Sequence, residues 1–339
     1  MANNNKVEII AEIAQAHDGS LGIAHSYIDA LHGTGVDTIK FQMHIAEAES
    51  SDLEQFRVNF SYEDKTRYDY WNRMGFTLEQ WAGLKQHCED KGFRFLCSPF
   101  SMQAVEWMEQ LKVDRYKIAS GEITNYLMLD AIAKTQKLIL LSTGMSDFEE
   151  IFNTIDFISK LNGNIEGVFQ CTTAYPTPPE KYGLNVLQEL KKSLKVKIGM
   201  SDHSGEIFSP LASVALGAEM LEMHVVFDKQ MFGPDAKSSL TIQEFALLCN
   251  GVRKIETAMN SPVNKNETEQ YDSLKSMFGK SLALNKDVNE GHTISIKDLE
   301  TKKPGTAGIH AKDYQNVVGM KTIANMKKGS FINSTDIKN

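Results

Sequence analysis

The sequence predicts an α/β protein: a (β/α)8 TIM barrel followed by a small mostly-β domain. Three observations predict it. Eight short β-branched and apolar runs recur over the first ~230 positions, a helix-like stretch follows each, and no glycine-rich phosphate loop stands behind the first run. Alternating β and α elements imply a parallel sheet. Eight such units in about 250 residues suit a closed barrel, since an open doubly wound sheet would carry G-x-G-x-x-G at its first turn.

The eight runs are residues 7–14, 38–42, 93–98, 115–120, 138–143, 168–173, 197–202 and 220–227. Between them 21–34, 77–91, 102–111 and 127–135 space their apolar residues three or four apart, as the buried face of a helix does. The longest connection, 43–76, holds Arg57, Arg67, Trp71 and Arg73 and reads as a functional loop on one barrel face. A last barrel helix is expected around 243–257. The polar stretch after it reads as a linker, which divides the chain into a barrel over 1–260, a linker over 261–277 and a second domain over 278–339. In that domain 280–284, 292–294 and 317–320 read as short strands, with Gly291, Gly305, Gly308, Gly319 and Gly329 at the bends. A unit of ~60 residues forms only a marginal core alone, so it is expected to lean on the barrel or on a partner subunit.

Composition narrows the function. A formal net charge of −8 without any dense Lys/Arg block argues against nucleic-acid binding. No apolar run reaches the ~18 residues of a membrane span, and Met1-Ala2-Asn3-Asn4-Asn5 lacks the layout of a secretory signal, so a cytoplasmic protein without a membrane partner is expected. Cys88, Cys97, Cys171 and Cys249 show no C-x-x-C spacing and read as free, buried packing residues.

In a barrel of this kind the site lies at the carboxyl ends of the strands. Those ends read Gln15-Ala16-His17-Asp18, Lys40-Phe41-Gln42, Ser98-Pro99-Phe100-Ser101, Lys117 with Ser120-Gly121-Glu122, Ser142-Thr143-Gly144, Thr172-Thr173 before Tyr175, Ser201-Asp202-His203-Ser204, and Glu222-Met223-His224. Strand side chains alternate faces, so Lys40 pairs with Gln42, Ser201 with His203, and Glu222 with His224. If these faces point inward, two lysines and several hydroxyls make a mouth for a phosphate or carboxylate. Otherwise the lysines are ordinary solvated charges. His203 and His224 end neighbouring strands, where two imidazoles either hold one divalent metal or serve as hydrogen-bonded structure. His17, Asp18 and Asp235 are further candidates for metal ligation or proton transfer. Gly233-Pro234-Asp235 either aims a carboxylate over the mouth or closes a turn, and Tyr175-Pro176-Thr177-Pro178-Pro179 is read as an aromatic wall.

These words, in this order, resemble the sialic acid (N-acetylneuraminate) synthase family. They are Glu12-Ile13 with His17-Asp18-Gly19, Lys40-Phe41-Gln42, Ser98-Pro99-Phe100, Tyr116-Lys117-Ile118-Ala119-Ser120-Gly121-Glu122, Leu141-Ser142-Thr143-Gly144-Met145, Tyr175-Pro176-Thr177-Pro178, Gly199-Met200-Ser201-Asp202-His203, Glu222-Met223-His224 and Gly233-Pro234-Asp235. Lys302-Lys303-Pro304-Gly305 and Lys327-Lys328-Gly329 resemble the family's antifreeze-like (SAF) domain.

The resemblance implies a cytoplasmic transferase that condenses phosphoenolpyruvate with N-acetylmannosamine, as its open-chain aldehyde, to a nine-carbon 2-keto sugar acid, releasing phosphate. Phosphoenolpyruvate is expected on Lys40, Gln42, Ser98, Lys117, Ser120 and Ser201. A divalent metal, usually Mn²⁺ with Mg²⁺ or Co²⁺ as substitutes, is expected on His203 and His224. Glu122, Asp235 and Asp18 are the implied catalytic groups, and Asp18, Thr173, Tyr175, Asp235 and Lys303 the implied sugar contacts. The implied assembly is a domain-swapped homodimer in which the lid of one subunit covers the mouth of the other. Three departures stand out: Asp18 where many members carry Glu or Gln, Thr173 where Asn is common, and Lys303 in place of an Arg whose planar fork Lys cannot reproduce. The same chemistry on a legionaminic or pseudaminic acid precursor is the alternative, and a non-catalytic sugar-binding protein is the alternative of another class.

Overall fold

The computed structural model describes residues 6–56 and 60–339; residues 1–5 and the Arg57 named above lie outside them. Two compact units, Met1–Ser261 and Pro262–Asn339, make up the chain.

In the first unit eight parallel strands form a nearly closed barrel: β1 (Glu8–Glu12), β2 (Thr38–Met43), β3 (Arg94–Pro99), β4 (Arg115–Ile118), β5 (Leu138–Ser142), β6 (Asn164–Cys171), β7 (Lys197–Asp202) and β8 (Met220–Val226). Hydrogen bonding runs in the order 3-2-1-8-7-6-5-4, and β3 lies beside β4 across the remaining seam. A two-residue strand, β9 (Leu240–Thr241), adds to β8. All eight predicted runs therefore carry a strand.

The alternation along each strand separates two cores. Outward residues such as Ile9, Ala11, Ile39, Phe41, Leu141, Val168, Met200 and Leu221 are buried under the helices. Inward residues Ile10, Leu96, Leu140, Phe169 and Met220 form a separate apolar layer inside the lumen. Strands buried on both faces read as continuous apolar runs, which is why they were visible in the sequence.

The surrounding helices are α1 (Leu21–Leu31), α2 (Ala46–Glu49), α3 (Arg67–Met74), α4 (Leu78–Asp90), α5 (Met102–Gln110), α6 (Tyr126–Lys134), α7 (Phe148–Lys160), α8 (Leu184–Ser193), α9 (Phe208–Ala215) and α10 (Ile242–Asn260). Local chemistry starts many of them. Ser101, Asn125 and Asp147 each accept a backbone N–H three residues on, and Thr77 with Gln80 and Thr241 with Glu244 form reciprocal capping boxes. Each such cap contributes about 1 kcal/mol. In α10 Phe245, Leu248, Cys249 and Val252 fall three or four apart and are buried together.

The 43–76 connection departs from its reading as a loop. It contains α2 and α3, the latter capped by Thr66 and Asp69, and α3 buries Tyr70, Trp71 and Met74 with Phe56, Phe60 and Tyr68 around them. The segment 261–277, read as a linker, holds most of a further helix, α11 (Asp272–Phe278).

The second unit has its own small core of Leu282, Leu284, Val288, Ile294, Val317 and Ile332. Its strands pair antiparallel, β10 (Ser281–Leu284) with β11 (Leu299–Lys302) and β12 (Lys321–Thr322) with β13 (Ile337–Lys338). Residues 292–294 and 317–320 are not strands: the first contributes a single bridge, Thr293 to Lys321, and the second follows a 3-10 turn. Short bridges between tight turns satisfy the backbone here without ladders. All four cysteines are free and buried, as expected. Among the described residues no helix is long and apolar enough to cross a membrane.

Candidate active site

Above the apolar lumen layer, at the carboxyl ends of the strands, opens a cavity of about 960 Å³. Its floor is ionic. Lys40 of β2 forms an ion pair with Glu12 of β1, its register partner, and lies 3.7 Å from Glu222 of β8. Lys117 of β4 donates to Ser142 Oγ at 2.6 Å and to Glu222 Oε1 at 3.0 Å, with its ammonium 4.8 Å from the centre of the Phe169 ring. Ser201 Oγ donates to the same Glu222 oxygen at 3.1 Å.

Burial pulls the Lys40 ammonium down to about 8; Lys117 adds to that and Glu222 opposes it. Burial works to raise the Glu222 carboxyl, yet the two ammoniums bring it down to about 2. Glu222 Oε2 and Ser98 Oγ are buried and make no hydrogen bond among the described residues. A buried, unbonded hydroxyl such as Ser98 Oγ beside two cations is what an anionic ligand would complete.

The rim carries the groups suited to proton and metal chemistry. Glu122 accepts from Asn125 Nδ2 at 2.8 Å; burial raises its carboxyl above the ordinary value, the Asn125 bond opposing and the Glu49 carboxylate adding. The His203 and His224 rings lie 5.2 Å apart, and Tyr175 packs 4.3 Å from His203. His203 Nδ1 is 3.1 Å from the Thr172 carbonyl, and Asp235 Oδ2 is 4.0 Å from His224 Nδ1. Burial lowers the protonation of both histidines, which favours the neutral imidazole that ligates metals. Among the described residues no set of three or more His, Cys, Asp or Glu is placed to hold an ion. The two neutral imidazoles of His203 and His224 are the donors here that would hold a divalent cation, with its other positions open.

Of the residues singled out from sequence, Lys40, Gln42, Lys117, Ser120, Glu122, Thr173, Tyr175, Ser201, His203, His224 and Asp235 line this one cavity. Ser98 is buried beside it on β3, opposite Gln42. Asp18 is not in the lining. It sits in a left-handed turn (φ 46°) with its carboxylate 2.6 Å from Arg73. His17 packs on Phe76 and accepts from the Gly19 N–H, and burial drives it down to about 3; it is a core histidine. Lys303 belongs to the second unit, its ammonium 5.0 Å from the Phe278 ring centre.

Sequence reasoning named Glu12 and Gly144 only within motifs, without a role, and missed His44 and Glu49. An acidic residue inside the apolar run of β1 was the available signal for Glu12. Gly144 donates to Ser120 Oγ at 3.0 Å, and a Cβ there would stand 2.5 Å from Thr173 Oγ1 and 2.9 Å from Cys171 Sγ, so only glycine lets these loops converge.

Residues 27–264 match the NeuB family and residues 279–338 the SAF domain. The chain is 33% identical to the N,N'-diacetyllegionaminic acid synthase of Campylobacter jejuni, over 96% of this chain and 99% of that protein. It is 31% identical to human N-acetylneuraminate-9-phosphate synthase, over 96% of this chain and 90% of that one. The crystal structure of N-acetylneuraminic acid (sialic acid) synthetase from Leptospira borgpetersenii, in complex with citrate, superposes with a TM-score of 0.70 at 28% identity, covering 81% of this chain and 95% of that one.

Proposed function

Because the chain belongs to the NeuB family of sialic acid synthase-like enzymes, we propose that it condenses phosphoenolpyruvate with the open-chain aldehyde of an N-acyl amino sugar, releasing phosphate. N-acetylmannosamine is the acceptor we place first, giving N-acetylneuraminate. The observation that carries the reading is the buried floor, where Lys40 and Lys117 converge with Ser201 and the unbonded Ser98 Oγ. Phosphoenolpyruvate, with a phosphate and a carboxylate, offers only hydrogen-bond acceptors, and this floor holds two ammoniums and the free Ser98 hydroxyl, which a ligand would share with Glu12 and Glu222.

In the reaction the enol carbon bonds to the aldehyde carbon, water adds to the phosphate-bearing carbon, and phosphate leaves with its bridging oxygen. The lysines hold and orient the enol phosphate, which converts an encounter of two solutes into one step within a complex. Glu122, with its raised carboxyl, is suited to hold or release a proton beside the reacting carbons. Asp235 and Tyr175 face the acceptor side, and Thr173 borders it. Bound on His203 and His224, a divalent cation such as Mn²⁺ would supply Lewis acidity to the aldehyde oxygen.

A second reading keeps the chemistry and changes the acceptor to a diacetamido-trideoxy hexose, the precursor of legionaminic or pseudaminic acid. Phe60, Tyr70, Trp71 and Met231 make one side of the cavity apolar, which suits deoxy and acetamido methyl groups.

Phosphate release from phosphoenolpyruvate with Mn²⁺, measured against N-acetylmannosamine, its 6-phosphate and the diacetamido hexoses, tests both. Release that requires one acceptor and stops with a chelator is the expected result. No release with any acceptor would sink the catalytic reading and favour a sugar-binding protein.

A further inference from the structure

Beside the ionic floor lies a buried array that takes no part in holding it together. His44 is stacked between Trp71 (ring centroids 3.7 Å apart) and Phe100 (4.3 Å). Its Nδ1 lies 2.8 Å from Glu49 Oε1, and the two side chains are only 6% and 7% exposed. A carboxylate only accepts, so Nδ1 carries the proton of this bond. Across the ring, Nε2 is 3.2 Å from Gln15 Nε2 and 3.2 Å from Gln42 Oε1, while Gln15 Nε2 donates to Gln42 Oε1 at 2.5 Å.

What surrounds the Gln42 oxygen fixes the direction of its amide. The unprotonated Nε2 accepts one Gln15 N–H and Gln42 Oε1 accepts the other, so that oxygen is occupied and the NH₂ group is the end left for the cavity that Gln42 lines. We infer that Glu49, His44 and Gln15 form a positioning relay that keeps the Gln42 amide hydrogens turned toward phosphoenolpyruvate. The inference rests on the functional reading above. An acceptor-only ligand gains from an NH₂ and is repelled by a carbonyl, so an amide free to flip would lose part of its use. The relay makes the choice before the ligand arrives.

The same logic dictates the test. In Gln15→Met the donor to Gln42 Oε1 is gone, while Glu49 still holds the His44 proton on Nδ1. Nε2 then accepts, Gln42 turns its NH₂ toward it, and a carbonyl faces the cavity. Calorimetric titration with phosphoenolpyruvate should show affinity about tenfold weaker, the size of one lost hydrogen bond to a charged group, with the acceptor KM unchanged. Adding Glu49→Gln releases the His44 tautomer, so Nε2–H can donate to Gln42 Oε1 and affinity should recover in part. In a Gln42→Ala background neither substitution should matter further.

A purely structural role predicts the reverse, losses that add in every background and no recovery in the double variant, and that outcome overturns the relay. If Gln15→Met does not fold, Gln42→Ala with and without Glu49→Gln reads the same coupling. Wild-type protein that binds no phosphoenolpyruvate brings down the functional reading itself, and the relay's ligand with it.

Discussion

At the amino-terminal end of the barrel lumen Arg115 meets Glu8, Thr38 and Glu166; two residues further along the same strands Lys117 meets Ser142 and Glu222, and Lys40 meets Glu12. Both ends bury cations against carboxylates, and the apolar layer of Ile10, Leu96, Leu140, Phe169 and Met220 separates them. They differ in cation and in space. A guanidinium keeps its charge at any working pH and directs a rigid fork of donors. Arg115 spends both terminal nitrogens on Glu8 and packs at 1% exposure. Lysine is a point charge that can lose its proton, and both lysines border a large cavity. One end is closed with a permanent charge; the other is held open around charges that a ligand can share.

The largest effect that separates the ends is on stability. Arg115→Met takes the guanidinium from the largely enclosed Glu8, which keeps Thr38 and an Arg94 4.0 Å away, while Glu166 keeps Lys197 at 2.8 Å, so chemical denaturation should show a loss of about 3 kcal/mol, with phosphoenolpyruvate affinity of the folded protein unchanged. Burial works to raise Glu8, but Arg115 holds it below its ordinary value. Stability from this pair is therefore complete above the ordinary carboxylate range and is lost as pH falls through the depressed value. A wild-type melting temperature in Arg115→Met would contradict the account of this end.

Next in size is the complementary change. Lys117→Met should lower kcat/KM about 10²–10³-fold, as removal of one donor aimed at a reacting oxyanion does, and it should alter the melting temperature far less than Arg115→Met. The Glu222 it leaves behind keeps Lys40 at 3.7 Å and the Ser201 hydroxyl at 3.1 Å. Equal destabilisation by the two substitutions would erase the distinction drawn between the ends.

How much of this was legible depended on range. Strands buried on both faces showed themselves as unbroken apolar runs, and the polar words that end them pointed to eleven residues now found around one cavity. The role of Glu12 stayed hidden because its partner is set by the β1–β2 register, which places it opposite Lys40. Glu49 was passed over because α2 is a single turn, too short to show a period, and His44 because it stands between β2 and α2 at the start of a stretch read as loop. The partner of Asp18, Arg73, lies 55 positions away and could not be read from its motif. In the second unit the strands are as short as two residues, which leaves alternation nothing to act on.

The smallest effect is also the most specific to the open end. Lys40 is drawn by burial from its ordinary 10.5 to about 8, so the unfolded chain binds the proton more readily between those values and stability rises with pH across that window. Ligand binding runs the other way. Below about pH 8 the ammonium is present and phosphoenolpyruvate affinity should be flat; above it the ligand-free site loses a cation, and affinity should fall by up to about tenfold per pH unit, the limit for one linked proton. Binding above pH 8 must then take up a proton, which calorimetry in buffers of different ionisation enthalpy would register. Lys40→Arg, with a charge that does not titrate, should flatten the profile even if it binds more weakly. Were wild-type affinity to stay level through pH 9.5, the Lys40 ammonium would have to be held by Glu12 and Glu222 as firmly as Arg115 is held by Glu8, and the two ends would differ in space alone.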